Sequence, residues 1–396
     1  MSQGLFLDLL DRGITDAKIR FNVAGKDIDV GRGANGNGHH PDVVVRVSNP
    51  RMFTRSLAAG SLGMAESYMD GDFVVENDAM PQFLEILLRN RLDKKVMSNP
   101  KMALRIGWMR IRDTIKGKAD NVQRHYDIGD DLFEAFLDKT LTYSCGYALD
   151  PDDDLDTLQQ DKLERICKKL RLREGDRLLD IGCGFGGLLM HAAKYHGVKA
   201  TGVTLAKRHC EYGNERIARE GLQDRVKIEY ADFNDVKGEF DRVVSVGMLE
   251  HVPRREYGRY FGKIAEVLTP DGVGLVHVIG ANAPKNEHDP FSAKYVFPNA
   301  NQPKLSEIAH GLEQKGLAIL DVENMIRHYH YTAKGWLKNF RANRDRLDIK
   351  KYDATFQKMW EFYLSACVAA AKASDAALYQ VLFMKDYTAP MPLHRV

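Results

Sequence analysis

The sequence predicts an α/β protein with a doubly wound, seven-stranded sheet and a smaller N-terminal α+β domain. Three observations carry this. From about residue 155 onward, short β-rich runs alternate with helical segments, the signature of a parallel sheet built from βαβ units. The first of those runs ends in a glycine-rich turn, Asp180-Ile181-Gly182-Cys183-Gly184-Phe185-Gly186-Gly187, that opens a helix. A length of 396 residues exceeds one ordinary core and calls for two domains.

Residues 5–12 read as a short amphipathic helix, and Ile19–Val30 and Val43–Val47 as strand-like runs separated by a Gly/Asn-rich loop. A helix-rich stretch, Arg51 to Leu92, closes a domain over 1–92, for which a scaffold or dimerisation role stays open. Residues 93–122 form a linker, and 123–396 the sheet domain. There Leu163, Ile166, Cys167 and Leu170 recur at helical spacing. The strand runs are Arg177–Ile181, Val198–Leu205, Val226–Tyr230, Phe240–Val246 and Val273–Val278; Ala318–Val322 and Tyr379–Met384 complete the seven. Ligand is expected at the carboxyl ends of these strands.

Composition narrows the class. Apolar residues at 44% with 28% charged ones describe a globular chain, and a net charge of +2 decides little. Five cysteines without paired spacing argue for free thiols in a reducing compartment, and no Cys/His spacing of the zinc type predicts a metal. The N-terminus has no positive leader, and no apolar run approaches the roughly 20 residues that span a bilayer. Contact with lipid is therefore expected from the surface. The linker interleaves Met102, Leu104, Ile106, Trp108, Met109, Ile111 and Ile115 with Lys101, Arg105, Arg110, Arg112, Lys116 and Lys118. Such a helix suits an anionic membrane interface, and equally a connecting helix with a solvated basic face. No further basic stripe supports a nucleic-acid partner.

The glycine turn lacks the Gly-Lys-Ser/Thr of a phosphate loop. It also departs from the dinucleotide fingerprint, since the second strand ends in Val203-Thr204-Leu205 rather than an acid. A carboxylate before the glycines, Asp180, suits a cofactor bearing an ammonium and a sulfonium. A purely structural turn is the plainer alternative.

Several further motifs stand in order: His125-Tyr126-Asp127-Ile128-Gly129, Thr142-Tyr143-Ser144-Cys145-Gly146-Tyr147, Gly202-Val203-Thr204-Leu205, Val246-Gly247-Met248-Leu249-Glu250-His251, His277-Val278-Ile279-Gly280, Tyr295-Val296-Phe297-Pro298 and Tyr329-x-x-Thr332-x-x-x-Trp336. With the glycine turn they resemble the cyclopropane fatty acid synthases and mycolic acid methyltransferases, within the class I S-adenosylmethionine-dependent methyltransferases. The resemblance runs from about residue 50 to 385. The run from Gly60 to Asp72 looks like the N-terminal domain of full-length bacterial members.

The resemblance implies a Rossmann-like methyltransferase sheet and methyl transfer from S-adenosyl-L-methionine to the double bond of unsaturated phospholipid acyl chains. The resulting carbocation would be deprotonated by a bound bicarbonate ion to close a cyclopropane ring. It implies bicarbonate holders at Cys145, Gly247, Glu250, His277, Ile279 and Tyr329. Around the methyl donor it implies Tyr143, Ser144, Asp180, Gly182, Gly184, Thr204, Leu205, His209, Asp232 and Phe233, the last for stacking on adenine. The expected setting is cytoplasmic, at the inner face of the membrane, and a homodimer is compatible with it.

Taken singly these residues have plainer roles. His277 on an apolar strand could be a satisfied core histidine, Glu250 a cap for the segment from Pro253, and Cys145 a small buried hydrophobe. The chain departs from the family at His209, where relatives carry Gln, and at Ala371-Lys372-Ala373-Ser374-Asp375, where they carry Phe-Arg-x-Arg-Asp. Other readings are a methylene- or methyl-branched product, methyl transfer to a small amine or phenol, and a non-catalytic lipid-binding protein.

Overall fold

The structure, a computed structural model, describes residues 2–33, 40–92, 129–282, 289–298, 300–373 and 376–390. The expected linker helix over 93–122 and the first motif, 125–128, lie outside them. The chain forms two compact units. One holds residues 1–128, 289–298 and 340–374; the other holds 129–288, 299–339 and 375–396. The expected boundary therefore runs differently for 289–298 and 340–374, which cluster with the N-terminal residues.

In the first unit the run Ile19–Val30 is a hairpin, β1 (Ile19–Val23) and β2 (Lys26–Val30). Ala24 and Gly25 both take positive φ, +50° and +79°, as a two-residue turn requires if its twist is to match the strands. β3 (Val43–Val47) lies parallel to β1, and β4 (Phe73–Val75) antiparallel to β3, in the order β2-β1-β3-β4. Strand β4 falls inside the stretch expected to be helical. Gly71 at φ +78° ends the preceding helix, and the β-branched pair Val74-Val75 extends along β3. Alternation along β1 and β3 turns Ile19, Phe21, Val43 and Val45 into a core with Phe6, Phe53 and Phe83. The helix Ala354–Ala373 packs on Met80–Arg89, which is why this late segment belongs here.

The second unit is a seven-stranded sheet: β5 (Arg177–Ile181), β6 (Lys199–Thr204), β7 (Val226–Tyr230), β8 (Phe240–Val246), β9 (Leu268–Ala281), β10 (Ala318–Asn324) and β11 (Ala376–Met384). Their order is β10-β11-β9-β8-β5-β6-β7. The run β9-β8-β5-β6-β7 is parallel, and β11 enters antiparallel between β9 and β10. Both faces are covered. Leu179, Ile181, Val243, Val276 and Val278 face one apolar core, while Leu178, Val244, Val273 and Leu275 face the other. The chain winds from β5 outward to β7, then returns to β5's other side with β8. The switch point thus lies where β5 and β8 end, at Ile181 and Val246.

Candidate active site

At the switch point the backbone is cut back to glycine. Gly182 follows β5 at φ +84°, and a Cβ there would stand 2.7 Å from Met248 Cγ. Gly184 (φ +55°) and Gly247 (φ +68°) also need the left-handed region, yet among the described residues a Cβ on either would meet nothing within 4 Å. Two strand ends therefore present bare backbone that no described residue covers, a cradle that suits a ligand lying close to the chain.

Asp180 at the end of β5 is buried, with no hydrogen-bond partner for Oδ1 among the described residues. Burial pushes its carboxyl up to about 7, against the attraction of Lys162. Lys162 is itself buried on the helix Leu155–Leu170, and burial pulls its ammonium down to about 8. Its Nζ donates to Ser144 Oγ at 3.2 Å, while Gln159, one turn earlier, donates to Ser144 O at 2.8 Å. The loop bearing Tyr143-Ser144-Cys145 is wound round buried Asp138, whose carboxylate accepts from the backbone of Thr140 (2.7 Å) and Thr142 (3.0 Å). Leu141, in the left-handed region at φ +55°, sits in this loop.

Glu250 occupies a single 3-10 turn, Leu249–His251, just beyond β8. Its Oε1 accepts from Ile279 N at 2.7 Å, and its backbone oxygen from Asn301 N at 2.9 Å and Nδ2 at 3.1 Å. Oε2 is buried without a partner among the described residues, and burial pushes the carboxyl up to about 7. His277, two residues before Ile279 on the same face of β9, receives Gln380 Nε2 at Nδ1 across 3.1 Å; its Nε2 is buried and without a partner among the described residues. Burial beside Lys162 and Lys169 holds its pKa well below the ordinary histidine value, so the ring is neutral.

The Tyr329-x-x-Thr332-x-x-x-Trp336 motif lies along one face of the helix Ile326–Asn343. Thr332 Oγ1 accepts from Gly146 N at 2.9 Å, tying that helix to the loop. Tyr143 and Trp336 stand 5.2 Å apart at their ring centroids, Tyr329 and Trp336 5.8 Å, and Phe133 and Phe136 complete the cluster. The Cys145 thiol donates to Gly146 O at 3.1 Å, and burial pushes it up to about 12, so it is neither thiolate nor nucleophile.

The remaining expected residues fall as follows. Gly247 N donates to His277 O (2.9 Å) and Ile279 N to Glu250, so both backbone groups scaffold the site. Thr204 Oγ1 accepts from Ala206 N at 3.1 Å, and Leu205 is exposed. His209 lies with its ring 4.1 Å from Phe185 and 5.7 Å from Phe133. Asp232 Oδ1 accepts from Asn234 N at 2.8 Å, while the Phe233 ring packs edge-on against Tyr260 in the sheet core, at 5.6 Å. Sequence reasoning missed Asp138, Gln159, Lys162, Gln380 and Asn301. The legible signals were Gln159 and Lys162 on the apolar stripe of a helix and Gln380 alone in an apolar strand.

A seven-stranded, mostly parallel sheet with a glycine turn after β5 and an acid before it defines a class I S-adenosylmethionine-dependent methyltransferase. The mycolic acid cyclopropane synthetase family model matches residues 114–381, and the chain belongs to that family. It is 38% identical over 351 residues to the cyclopropane-fatty-acyl-phospholipid synthase of Escherichia coli (strain K12), spanning 88% of this chain and 89% of that protein. The cyclopropane synthase from Mycobacterium tuberculosis superposes with a TM-score of 0.62 at 25% identity, over 66% of this chain and 96% of that one. A mycolic acid cyclopropane synthase solved with SAH and CTAB gives 0.62 at 28%, over 67% and 97%. The chain is thus an enzyme, a methyltransferase, as the motifs implied.

Proposed function

We propose that this enzyme transfers a methyl group from S-adenosyl-L-methionine to the double bond of an unsaturated phospholipid acyl chain and closes a cyclopropane ring. One observation carries the reading: Glu250 Oε2 and His277 Nε2 are both buried polar atoms without a partner among the described residues, on groups fixed at their other ends. Buried polar groups are normally paired, so two such atoms on neighbouring strand ends support the reading of a small polar ligand there.

Bicarbonate fits that donor set. It has both accepting oxygens and a hydroxyl, and it would meet the neutral His277 N–H, the Glu250 carboxyl and the Tyr329 hydroxyl. When bound it supplies a base for a proton of the transferred methyl. The protein's own part is to hold that neighbourhood dry, to keep His277 neutral with its N–H inward, and to place Tyr143, Tyr329 and Trp336 where their π faces stabilise a carbocation. Asp180, Gly182, Gly184, Ser144, Tyr143, Thr204, Leu205, His209, Asp232 and Phe233, with Lys162 behind Ser144, would surround the donor. Its ammonium and sulfonium suit the Asp180 carboxylate.

The acyl chain is reached from the membrane surface. Among the described residues no helix is long and apolar enough to cross a bilayer, and the basic, apolar run 101–118 has the composition to dock on anionic lipid at the inner face. Incubation with labelled donor and vesicles of monounsaturated phospholipid should add one carbon to the chain and remove its double bond. A methylene branch, or a methyl branch that keeps a double bond, at the same mass would revise the product; no transfer to any unsaturated lipid would overturn the function. Replacing Lys101, Arg105, Arg110 and Arg112 with Gln should weaken vesicle binding most at low salt. Equal binding would assign that run to a connecting role.

A further inference from the structure

On the face of the sheet away from Gly247 and Glu250's turn, two helices bring together residues that the methyl transfer does not use. Glu164 and Cys167 lie three apart on Leu155–Leu170; His191 and His196 lie on Gly187–His196. One ligand atom each from Cys167, His191 and His196 falls within 4.8 Å of the others. Glu164 Oε2 stands 3.2 Å from His191 Nε2 and 3.0 Å from His196 Nε2. We propose that Cys167, His191, His196 and Glu164 form a binding site for one borderline divalent transition-metal cation of the zinc type.

The chemistry of the set carries the assignment. One sulfur, two imidazole nitrogens and one carboxylate oxygen are the mixed donors zinc takes in four-coordinate sites. With metal–ligand bonds of about 2.0–2.3 Å, tetrahedral neighbours lie roughly 3.3–3.7 Å apart. The two histidine–glutamate separations, 3.2 and 3.0 Å, fall just short of that range, and the Cys167, His191 and His196 donor atoms lie within 4.8 Å of one another, so the side chains must turn to meet on one ion. Lys168 pairs with the other glutamate oxygen, Oε1, at 3.4 Å, leaving Oε2 on the imidazoles. Cys167 is buried, while His191, His196 and Glu164 border a surface recess of about 400 Å³ that also takes in Gln160, Asp161 and Tyr195. An ion therefore has an entry path. On binding, the Cys167 thiol releases its proton to solvent, and each imidazole carries its single proton on the nitrogen away from the metal.

The sequence conceals the site because its donors are split between two helices: His191 and His196 have the spacing of a zinc pair, but a single cysteine on the other helix, not a Cys pair, accompanies them. Its consequence follows from what those helices do. Leu155–Leu170 holds Ser144 through Gln159 and Lys162, and Gly187–His196 opens off the glycine turn. A cation between them would clamp both walls of the donor site.

The test uses the full-length protein freed of metal with a chelator. Titration with cobalt(II) should show one equivalent bound, with a sulfur-to-cobalt charge-transfer band that zinc abolishes by displacement. His191→Gln and His196→Gln, on the accessible side, should each weaken zinc binding by about tenfold or more, and Cys167→Ser should abolish the band. Zinc should raise the melting temperature of the wild type and leave that of the double His variant unchanged. The assignment is overturned if the wild type takes up no more cobalt than the double variant, or binds it without the charge-transfer band; the four residues are then a hydrogen-bonded cluster in which Glu164 accepts from both imidazoles.

Discussion

The Gln380 amide meets His277 Nδ1 at 3.1 Å, and Lys169 fixes which way that amide points. Lys169 Nζ has only protons to give, and it donates to Gln380 Oε1 at 2.7 Å. The Gln380 NH2 must then face His277, so Nδ1 accepts and the proton of the neutral ring sits on Nε2, the buried atom without a partner among the described residues. Glu323, held by Arg165 at 3.0 Å and Lys169 at 2.6 Å, anchors the far end of the relay. Polar residues threading an apolar strand thus set one tautomer.

Reversing the relay should reverse the tautomer. Gln380→Glu offers His277 an acceptor, which draws the proton to Nδ1 and leaves Nε2 a lone pair. Turnover should fall by about tenfold to a hundredfold, as for other groups that orient a site histidine, with donor affinity unchanged by calorimetry. Nitrogen-15 shifts of the ring report the proton directly. Wild-type turnover in a variant protonated at Nδ1 would remove the proposed role of the His277 N–H.

Glu250→Gln keeps an oxygen for Ile279 N and removes the charge. Turnover should drop by at least about a hundredfold while donor binding persists. The same variant tests the burial of the carboxyl. Its folded value is raised from 4.5 to about 7, so the folded protein binds more protons than the unfolded chain between those limits. The stability this contributes is fully present below 4.5 and lost as pH rises through about 7, a loss of up to roughly 3 kcal/mol. Melting curves from pH 4.5 to 8 should therefore fall more steeply for the wild type than for Glu250→Gln. Parallel curves would mean the carboxyl is already ionised in the fold.

Much of this was legible in the sequence, and for a physical reason. Strands covered on both faces, β5 and β8, read as apolar-rich runs and the edge strand β7 as an alternating one, and all three match their expected bounds residue for residue. The antiparallel entry of β11 between β9 and β10 leaves no trace in Ala376–Met384, because an apolar run looks alike in either direction. The hairpin at Ala24-Gly25 was hidden because alternation continues through a two-residue turn. Glu250 and His277 were found through motifs; Gln380, Lys169 and Asn301 were not, since they act across the fold on residues far away in sequence. The unit boundary was illegible for the same reason: Ala354–Ala373 lies between the sheet strands β10 and β11 in the chain yet packs with Met80–Arg89.

Lys162 should control donor affinity without touching the acceptor. Lys162→Met removes the donor to Ser144 Oγ and a cation that offsets the burial of Asp180. Loss of a charged hydrogen bond is worth about 1.5–3 kcal/mol, so the donor's Kd near neutral pH should rise about tenfold or more. The sign with pH is also fixed. Asp180 binds the donor's positive charge only when ionised, so wild-type affinity should strengthen as pH rises through about 7, and the midpoint should move upward without Lys162. Calorimetry from pH 6 to 9 reads both. An unmoved midpoint would separate Lys162 from Asp180.

The first unit offers a test of stability apart from chemistry. Buried Glu361 accepts from Arg341 at 2.7 Å and Arg344 at 2.9 Å, and Tyr68 OH lies 3.5 Å from it. Removing the carboxylate with Glu361→Ala leaves two guanidiniums without their shared anion and a tyrosine hydroxyl over a cavity. Breaking a fully buried pair costs about 3–5 kcal/mol. Arg341 and Arg344 keep 22% and 38% of their side chains exposed, so both can turn toward water and the cost should be nearer about 2 kcal/mol. That corresponds to a melting temperature lower by roughly 4–8 °C for a unit of this size. Glu361→Gln keeps the shape and an acceptor oxygen, and should lose about half as much. If the two variants melt together with the wild type, the three charges are hydrated independently and do not hold Ala354–Ala373 in place.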